Sequence, residues 1–399
     1  MKILHTSDWH IGHALYSKKR TDEHKAFLDW LTKLIDQRGI DALIVAGDVF
    51  DNGAPGGACQ KLYFDFLTSI IKTDCSAVVI VAGNHDSPRF LQAPAALLKN
   101  LDIHVVGLPT DAADHVIELR DKHGHTRAIC CAVPYLRKHE MVKIGEDGLT
   151  SDEMIIAATR AFYREVADAA LAKRKQIGEQ VPIIATGHLF AQGAKTHEGD
   201  GVRELYVGNL GHVGADVFPD EIDYTALGHI HGAQKVSGSR RIRYSGSPLV
   251  MSFSEIGKQK RVIEIDTDGM QIEEVAVPEF QKLARIFGSY DEIMKKLSDM
   301  AADDVWIEVT YTGDEILPSL SHDVGEAVGG GRAEVLSIRN DAAIRRILKA
   351  DGDSQTLDTM AVGDVFMKCI DENAIDEKHR SELIESFNEI LAAVEEGEQ

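Results

Sequence analysis

Five short motifs rich in aspartate, asparagine and histidine carry the residue types that could do chemistry in this sequence. In chain order they are Asp8-Trp9-His10, Gly47-Asp48-Val49-Phe50-Asp51, Gly83-Asn84-His85-Asp86, Gly187-His188 and Gly228-His229-Ile230-His231. Carboxylate, amide and imidazole groups without a thiolate suit a borderline divalent metal ion. There are enough ligands for two ions, and a shared carboxylate would hold such ions ~3.5–4 Å apart. A pair of ions stabilises both the attacking and the leaving oxygen of a phosphoryl displacement.

Each motif follows a short apolar run that is predicted to be a strand, and this placement favours one common site. Ligand sites of α/β sheets lie outside the carboxyl ends of the strands, where side chains from several strands converge. The Asp-x-His and His-x-His spacings put both side chains on one face of an extended segment. Any single motif is explained equally well by turn or cap residues. Five motifs in this order favour a metal site over that structural alternative.

The elements that must position these motifs alternate along the first part of the chain. Apolar runs and helical spacings predict, in order, a strand, a helix, a strand, a helix and a strand at 2–6, 22–38, 41–46, 60–71 and 77–82. This order predicts an α/β protein with a layered core. A long helix is predicted at 151–177. Further strands are predicted at 127–132, 182–186, 224–227, 241–245 and 261–265.

A domain boundary is predicted at Pro278, where the pattern changes to a small α+β unit. Its strands and helices are predicted, in alternation, at 283–287, 290–300, 305–312, 316–328 and 333–339. Two amphipathic helices are predicted beyond this unit, at 360–373 and 376–396. Two short helices bury little against each other, so their apolar faces need a partner or the body of the protein. The predicted domains are 1–278, 279–345 and 346–399.

Composition and charge exclude several classes of protein. Of 399 residues, 44% are hydrophobic and 27% charged, which excludes a mostly disordered chain. No apolar run approaches the ~20 residues of a membrane span, and the polar N-terminus is not a signal peptide. Five cysteines without a CxxC spacing predict reduced thiols and a cytoplasmic location. The net charge of −21 argues against holding nucleic acid by bulk charge alone, although residues 351–399 contribute 14 acidic and only 3 basic residues.

Taken together, the ordered motifs resemble the calcineurin-like metallophosphoesterase superfamily over residues 1–278. Longer segments narrow the resemblance to the SbcD family of bacterial DNA-repair nuclease subunits. They include His5-Thr6-Ser7-Asp8-Trp9-His10-Ile11-Gly12, Ala185-Thr186-Gly187-His188-Leu189 and Tyr244-Ser245-Gly246-Ser247-Pro248. The resemblance implies a layered αββα sandwich that forms the nuclease domain, a small α+β capping domain and a C-terminal helical tail.

Carried over residue by residue, the resemblance implies a set of metal ligands. One ion would be held by Asp8, His10 and His231, the other by Asn84, His188 and His229, and Asp48 would bridge them. The family metal is Mn²⁺, with Mg²⁺ as a cellular substitute.

The resemblance also implies roles beside the ligands. His85 matches the catalytic histidine of the family, placed to protonate the leaving oxygen, and histidine suits proton transfer near neutral pH. Asp51 and Asp86 would orient histidine ligands or, equally, stabilise turns. Arg203 would touch a phosphate or lie in solvent. Trp9 is expected to pack in the core.

DNA and an SbcC-type ATPase are the partners that the resemblance implies, and it implies no membrane partner. The activity would be that of a double-strand exonuclease and a single-strand or hairpin endonuclease in DNA repair, recombination and replication. The tail would dock the ATPase through Phe366, Ile370, Phe387 and Leu391, or else fold back on the capping domain. A homodimer within a heterotetramer is implied, and 52–71 and 89–98 are the candidate dimer segments. Arg332, Arg339, Arg345 and Arg346 of the capping region would meet phosphates or lie in solvent.

Two other functions stay open at the level of sequence. A small-molecule phosphodiesterase or phosphatase would use the same fold and metals, because both are shared across substrates. The capping unit and the tail argue against it, since such an enzyme has no evident use for them. A metal-binding scaffold without catalysis is disfavoured because every ligand position and His85 are filled.

Overall fold

The computed structural model describes residues 1–137, 151–191, 213–313, 315 and 317–340, together with positions 366, 367, 380, 384 and 387. The chain divides into two compact units, Met1–Leu283 and Ala284–Gln399. The helices are α1 (Thr21–Arg38), α2 (Gly57–Ile70), α3 (Pro88–Gln92), α4 (Ala95–Leu98), α5 (Ser151–Ile177), α6 (Tyr290–Met300) and α7 (Leu320–Val328).

The strands of the first unit are short, and many lie between the helices. They are β1 (Lys2–Thr6), β2 (Ala14–Leu15), β3 (Lys18–Lys19), β4 (Ala42–Ala46), β5 (Ala77–Val81), β6 (Ile103–Val106), β7 (Val116–Arg120), β8 (Thr126–Cys131), β9 (Ile183–His188), β10 (Tyr224–Gly228), β11 (Gln234–Lys235), β12 (Ile242–Tyr244), β13 (Arg261–Asp266) and β14 (Gln271–Ala276). Three more strands follow, namely β15 (Lys282–Gly288), β16 (Val305–Tyr311) and β17 (Glu334–Asn340).

Two six-stranded sheets and the small two-stranded sheet β2-β3 lie in the first unit. The first sheet has the order β14-β13-β1-β4-β5-β6, and its strands β1, β4, β5 and β6 run parallel. The second has the order β11-β12-β10-β9-β8-β7, with β12, β10, β9 and β8 parallel. Parallel strands end at one edge of a sheet, so in each sheet the loops that follow them lie side by side.

Successive side chains of a strand point to opposite faces of its sheet, and the apolar ones form three separate cores. In β1, Ile3 belongs to the core between the sheets, whereas Leu4 belongs to the core beneath α1 and α2. The opposite core lies between the second sheet and α5, where Tyr163 and Val166 pack. A strand covered on both faces reads as a continuous apolar run, and β4 and β5 are buried throughout. The layers are therefore helix, sheet, sheet and helix.

A buried histidine joins the two sheets close to the ends of their strands. His5 in β1 has its Nδ1 3.0 Å from the Tyr224 hydroxyl and its Nε2 3.2 Å from the Leu227 carbonyl oxygen, both in β10. Burial lowers the pKa of His5 to about 3, so the ring is neutral and bridges the sheets by hydrogen bonds. These bonds fix the position of β1 relative to β10. The residues that follow each of the two strands include predicted metal ligands.

The second unit contains a three-stranded sheet in the order β15-β16-β17. Its core includes Ile293 and Leu297 of α6 and Val324 of α7, which pack with Ile307 and Val309 of β16. Helix α6 begins with a capping box in which Ser289 and Glu292 bond reciprocally to each other's backbone region. This is the α+β arrangement that the sequence predicts.

The predicted fold class is confirmed, and the sheets contain more strands than the sequence analysis proposes. The additional strands are β2, β3, β6, β7, β11 and β14, and the candidate segment 89–98 forms two short helices, α3 and α4. The unit boundary follows Leu283, and the three-domain division stays a prediction because the linker near 345 lies outside the described residues. None of the described helices combines the length and apolarity needed to cross a membrane.

Candidate metal centre

The motif loops hold several of the predicted ligands in an unusual backbone conformation. Asp8, His10, Asp48 and His229 all have positive φ, at 53°, 45°, 50° and 99°. Each such residue costs roughly 1–3 kcal/mol and persists only where the surrounding structure enforces it. Backbone bonds enforce it here, because Asp8 N donates to Gly47 O and His10 N donates to Asp48 O, both at 3.0 Å. The first two motifs are therefore locked to each other before any metal binds.

One group of candidate ligands consists of Asp8, His10 and His231, all buried. His10 Nε2 and His231 Nε2 lie 3.2 Å apart. Asp8 Oδ1 accepts a bond from His229 N at 2.8 Å, which ties the first motif to the fifth. The ligand atoms of the three residues lie within 4.8 Å of one another, so one cation could contact all of them.

A second group consists of Asp48, His188 and His229. His188 Nε2 lies 3.1 Å from Asp48 Oδ2, and His188 Nδ1 is 2.9 Å from the Ala46 carbonyl oxygen. Asn84 Oδ1 lies 3.0 Å from both His188 Nε2 and His229 Nδ1. Because the Ala46 bond occupies Nδ1 of His188, its Nε2 is the nitrogen that faces the cluster.

The Asp48 carboxylate lies between the two groups. Its Oδ2 is 3.1 Å from His188 Nε2 and 3.5 Å from His10 Nε2, and its Oδ1 accepts a bond from His85 N at 3.0 Å. His10, Asp48 and His85 also form a ligand-sized group of their own. Asp48 therefore contacts histidines of both groups, as a bridging carboxylate must.

His85 stands at the exposed side of this otherwise buried cluster. Its Nδ1 lies 2.9 Å from the Asp51 carbonyl oxygen, and its ring packs edge-on against His10 with centroids 4.9 Å apart. The Asp51 carboxylate lies 3.4 Å from His10 Nδ1. Asp51 thus contacts a predicted histidine ligand through its side chain and His85 through its backbone.

For Asp86, the structure favours the turn-stabilising alternative over the orientation of a histidine. Its carboxylate accepts backbone bonds from Gly83, Val49 and Phe50 at 2.8, 3.1 and 2.9 Å. Three amide donors on one carboxylate fix the third motif against the second. Asp86 acts on the site by holding two loops together.

Close backbone approach explains two of the glycines in the motifs. A Cβ on Gly83 would overlap the Asp48 carboxylate, and a Cβ on Gly228 would overlap the Ala46 carbonyl oxygen.

Two serines to which the sequence analysis assigns no role also support the site. Ser7 Oγ donates to Asp8 Oδ2 at 2.5 Å and lies 2.8 Å from Ser245 Oγ. Both serines lie in segments that carry the family resemblance, but the sequence does not reveal their contact with each other.

A protonated histidine balances the buried carboxylates of the cluster. Burial would raise the pKa of Asp48, but His188 and His10 hold it well below its usual range. Burial would lower the pKa of His188, but Asp48 and Asp8 raise it to about 9. Burial and the charge of His188 lower the pKa of His229 to about 3. A cation that binds here would replace the positive charge of His188 and release its proton.

The residues present fit a pair of divalent cations. Nδ1 of His231 is buried without a hydrogen-bond partner among the described residues, which is costly for a polar atom unless a ligand uses the site. The donors are carboxylate, imidazole and amide groups, the set that suits Mn²⁺ or a similar ion. The eight predicted residues, seven ligands and His85, all lie in this cluster, although the ion that each would bind stays a prediction.

Other predicted residues lie elsewhere. Trp9 is fully buried against Phe27 and Phe66, as expected for a core residue. Arg203 lies outside the described residues.

Comparison with known proteins decides the family of the chain. A calcineurin-like phosphoesterase model matches residues 1–233, and a type 5 capsule protein repressor C-terminal domain model matches residues 279–374. The SbcD subunit of nuclease SbcCD from Escherichia coli strain K12 is 36% identical over 402 residues, which cover 98% of this chain and 98% of that protein. The chain belongs to the SbcD family of nuclease subunits.

Shorter matches agree with the SbcD assignment. The SbcD subunit of nuclease SbcCD from Rhodobacter capsulatus is 38% identical over 279 residues, 67% of each protein. That of Bacillus subtilis is 33% identical over 268 residues, 67% of this chain and 66% of the relative. Membership of the SbcD family confirms the resemblance drawn from the motifs and makes the chain a metal-dependent hydrolase of the nuclease class.

Proposed function

We propose that this chain is the nuclease subunit of an SbcCD-type complex that hydrolyses DNA phosphodiester bonds at ends and hairpins. It would act as a double-strand exonuclease and a single-strand endonuclease in DNA repair and recombination. The observation that carries the proposal is the Asp48 carboxylate shared between two groups of buried ligands. Two Mn²⁺ ions are the proposed cofactor, with Mg²⁺ as a substitute.

The chain's own residues bind, orient and protonate in this mechanism. When bound, a pair of divalent ions supplies Lewis-acid activation of the attacking water and of the phosphodiester. Asp8, His10 and His231 would hold one ion, Asn84, His188 and His229 would hold the other, and Asp48 would contact both. The Asp51 carbonyl oxygen fixes Nδ1 of His85, so Nε2 is the atom from which the protonated ring donates to the leaving oxygen.

The difference in exposure gives the substrate a direction of approach. The side chains of His10, Asp48 and His188 are almost inaccessible, whereas His85 is exposed. A phosphodiester would therefore reach the ions past His85. In this proposal the proton donor would lie on the side from which the strand enters.

The proposal is tested with the purified chain, Mn²⁺ and two substrates, an end-labelled DNA hairpin and bis-phenyl phosphate. A nuclease is expected to open the hairpin, and omission of Mn²⁺ with added chelator should stop the reaction. Turnover of bis-phenyl phosphate without any cleavage of DNA, even with the ATPase present, would instead support the small-molecule phosphodiesterase.

The tail is proposed to dock the SbcC-type ATPase. The Phe366 and Phe387 rings stack with centroids 3.8 Å apart at 6°, which supports pairing of the two predicted helices. Met367 beside Phe366 is 37% exposed, as a docking residue would be in the absence of its partner. Ile370 and Leu391 lie outside the described residues.

Truncation after Asp341 separates the docking role of the tail from catalysis. The shortened chain is expected to keep its full rate on bis-phenyl phosphate, because every predicted ligand lies in the first unit. It should lose co-elution with the ATPase in gel filtration. Continued co-elution of the truncated chain would place the docking site elsewhere.

Homodimerisation is proposed through 52–71 and 89–98, where large apolar side chains remain exposed. Phe64 and Ile71 are 37% and 45% exposed, Leu97 is 70% exposed, and the nearby Leu101 is 47% exposed. Ile71 and Leu101 line the same groove of the first unit. The shared groove of Ile71 and Leu101 and the exposed Leu97 support an interaction surface in this part of the chain.

A charge placed in this surface is expected to dissociate the dimer. Leu97→Glu should weaken dimerisation at least about 100-fold, because an unpaired charge buried at an interface costs roughly 3–5 kcal/mol. Sedimentation velocity measures the shift, and Phe287→Glu is the control because Phe287 is a similarly exposed residue of the second unit. An intact dimer in the Leu97 variant would exclude this surface.

Two further placements are proposals as well. Contact of the capping region with phosphates is supported by Arg332 and Arg339, both exposed, although Arg339 also lies 3.5 Å from Glu308. Arg345 and Arg346 lie outside the described residues.

A cytoplasmic location is supported by the free thiols of Cys59, Cys75, Cys130 and Cys131.

A further inference from the structure

A buried lysine lies behind the loop that carries His229 and His231. Lys260 directly precedes β13 and is 8% exposed. Its ammonium donates to Glu255 Oε2 at 2.7 Å, to Ser247 Oγ at 2.8 Å and to the His231 carbonyl oxygen at 3.2 Å. Three acceptors match the three protons of an ammonium group. Lys260 thus connects three segments of the chain by hydrogen bonds.

The segments that meet at Lys260 are also bonded to one another. Ser247 N donates to the His231 carbonyl oxygen at 3.1 Å, and Ser247 Oγ donates to Leu249 O at 2.9 Å. Glu255, 1% exposed, also accepts a bond from Met251 N at 2.9 Å. The Ser-Gly-Ser-Pro motif at 245–248, which has no ligand of its own, lies between the lysine and the His231 loop.

Stability alone is a weak reason for this arrangement. Burial of a lysine and a glutamate costs several kcal/mol per ion, and well-packed apolar residues in their place are often neutral or stabilising. A compact cation with directed bonds does something that an apolar side chain cannot. It fixes the position of one carbonyl oxygen, and that oxygen belongs to a predicted metal ligand.

We infer that Lys260 is a positioning residue for the metal centre. By holding the His231 carbonyl oxygen, Lys260 keeps Nε2 of His231 3.2 Å from Nε2 of His10. It thereby keeps His231 within the group that includes Asp8. The inference rests on the proposed function, since it concerns one of the two proposed ion sites. Lys260 bonds to His231, which belongs to the proposed site of Asp8, His10 and His231. Loss of Lys260 should therefore weaken Mn²⁺ binding at that site more than at the other.

A matched control distinguishes positioning from general stability. Arg243 is likewise buried, 5% exposed, and donates to Glu274 Oε1 at 2.9 Å and to the Arg240 carbonyl oxygen at 2.9 Å. These bonds reach no residue of the five motifs. Arg243→Met therefore removes a buried cation from the same unit without touching a ligand loop.

The experiment compares Mn²⁺ binding by the full-length wild-type chain, Lys260→Met/Glu255→Gln and Arg243→Met. The Glu255 change avoids an unpaired buried carboxylate. Calorimetric titration is expected to show two sites in the wild type, one of them about 10–100-fold weaker in the Lys260 variant, because outer partners of ligands have effects of this size. Electron paramagnetic resonance at two equivalents of Mn²⁺ should change from a coupled pair to an isolated ion. Arg243→Met should keep the coupled spectrum.

Each result has one meaning. Wild-type affinity at both sites in the Lys260 variant, or equal weakening of both sites, would overturn the positioning role and leave the proposed function standing. Absence of any Mn²⁺ binding by the wild type would overturn the proposed function itself. Ser247→Ala, which removes one acceptor of Lys260 and leaves the ion pair, gives a second test if the double variant does not fold. It should weaken the same site to a smaller extent, and unchanged affinity would count against the inference.

Discussion

Replacement of His85 by leucine is expected to lower the rate of DNA hairpin cleavage by about 10²–10⁴-fold, the usual contribution of a general acid. The Asp51 carbonyl oxygen engages Nδ1 of His85 at 2.9 Å, which leaves Nε2 to protonate the leaving oxygen. Leucine fills similar space without a proton to give. Both ions should stay bound, because the backbone N–H of residue 85, and not its side chain, donates to Asp48. Single-turnover cleavage and calorimetric Mn²⁺ titration measure the two effects separately.

His125→Leu is the control for the His85 variant. His125 is also a solvent-exposed histidine, but its side chain lies 3.7 Å from Asp121 in a turn that contains none of the motifs. Its substitution should leave the cleavage rate unchanged. If His85→Leu lost Mn²⁺ in proportion to its loss of rate, His85 would be a ligand, as its grouping with His10 and Asp48 would also permit.

Asp48→Asn is expected to abolish cleavage, with a rate at least about 10³-fold lower, because each divalent ion contributes several kcal/mol to such a reaction. The amide keeps the shape of the side chain but removes the negative charge that both histidine groups contact. We expect the Mn²⁺ content after dialysis to fall from two ions per chain to less than one. The hairpin assay and elemental analysis of the dialysed protein report the rate and the stoichiometry.

The matched control is Asp102→Asn, since Asp48 and Asp102 have nearly the same positive φ. Their φ angles are 50° and 54°, and asparagine tolerates this left-handed region well. Asp102 lies at the end of a short turn before β6, away from the motifs. The control should bind two ions and cleave at the wild-type rate. Two tightly bound ions in Asp48→Asn would show that the carboxylate does not bridge.

The site could be predicted because the residue types that form it occur in short contiguous segments of the sequence. An Asp, Asn or His within a few residues after an apolar run lies near the carboxyl end of a strand wherever that run is buried in a parallel sheet. Asp48 after β4 and Asn84 after β5 follow this rule. The layered core was predictable for a similar reason, since runs such as 42–46 are apolar at every position.

What surrounds the ligands could not be predicted, because it depends on contacts between residues distant in the chain. Lys260 reaches the His231 carbonyl across 29 positions, and Ser245 reaches Ser7 across 238. No local pattern marks either pair. The role of Asp86 was undecided for the same reason, since its partners Val49 and Phe50 stand in another motif.

Residue identity and hydrophobic period are enough to specify the kind of chemistry, the ligand types and the strands that carry them. The folded chain was needed to establish that Asp48 contacts histidines of both groups, that Asp86 joins two loops and that His85 is the exposed member of the cluster. These properties arise when two sheets pack face to face and five loops meet. Packing fixes distances and exposure that no spacing along the chain encodes.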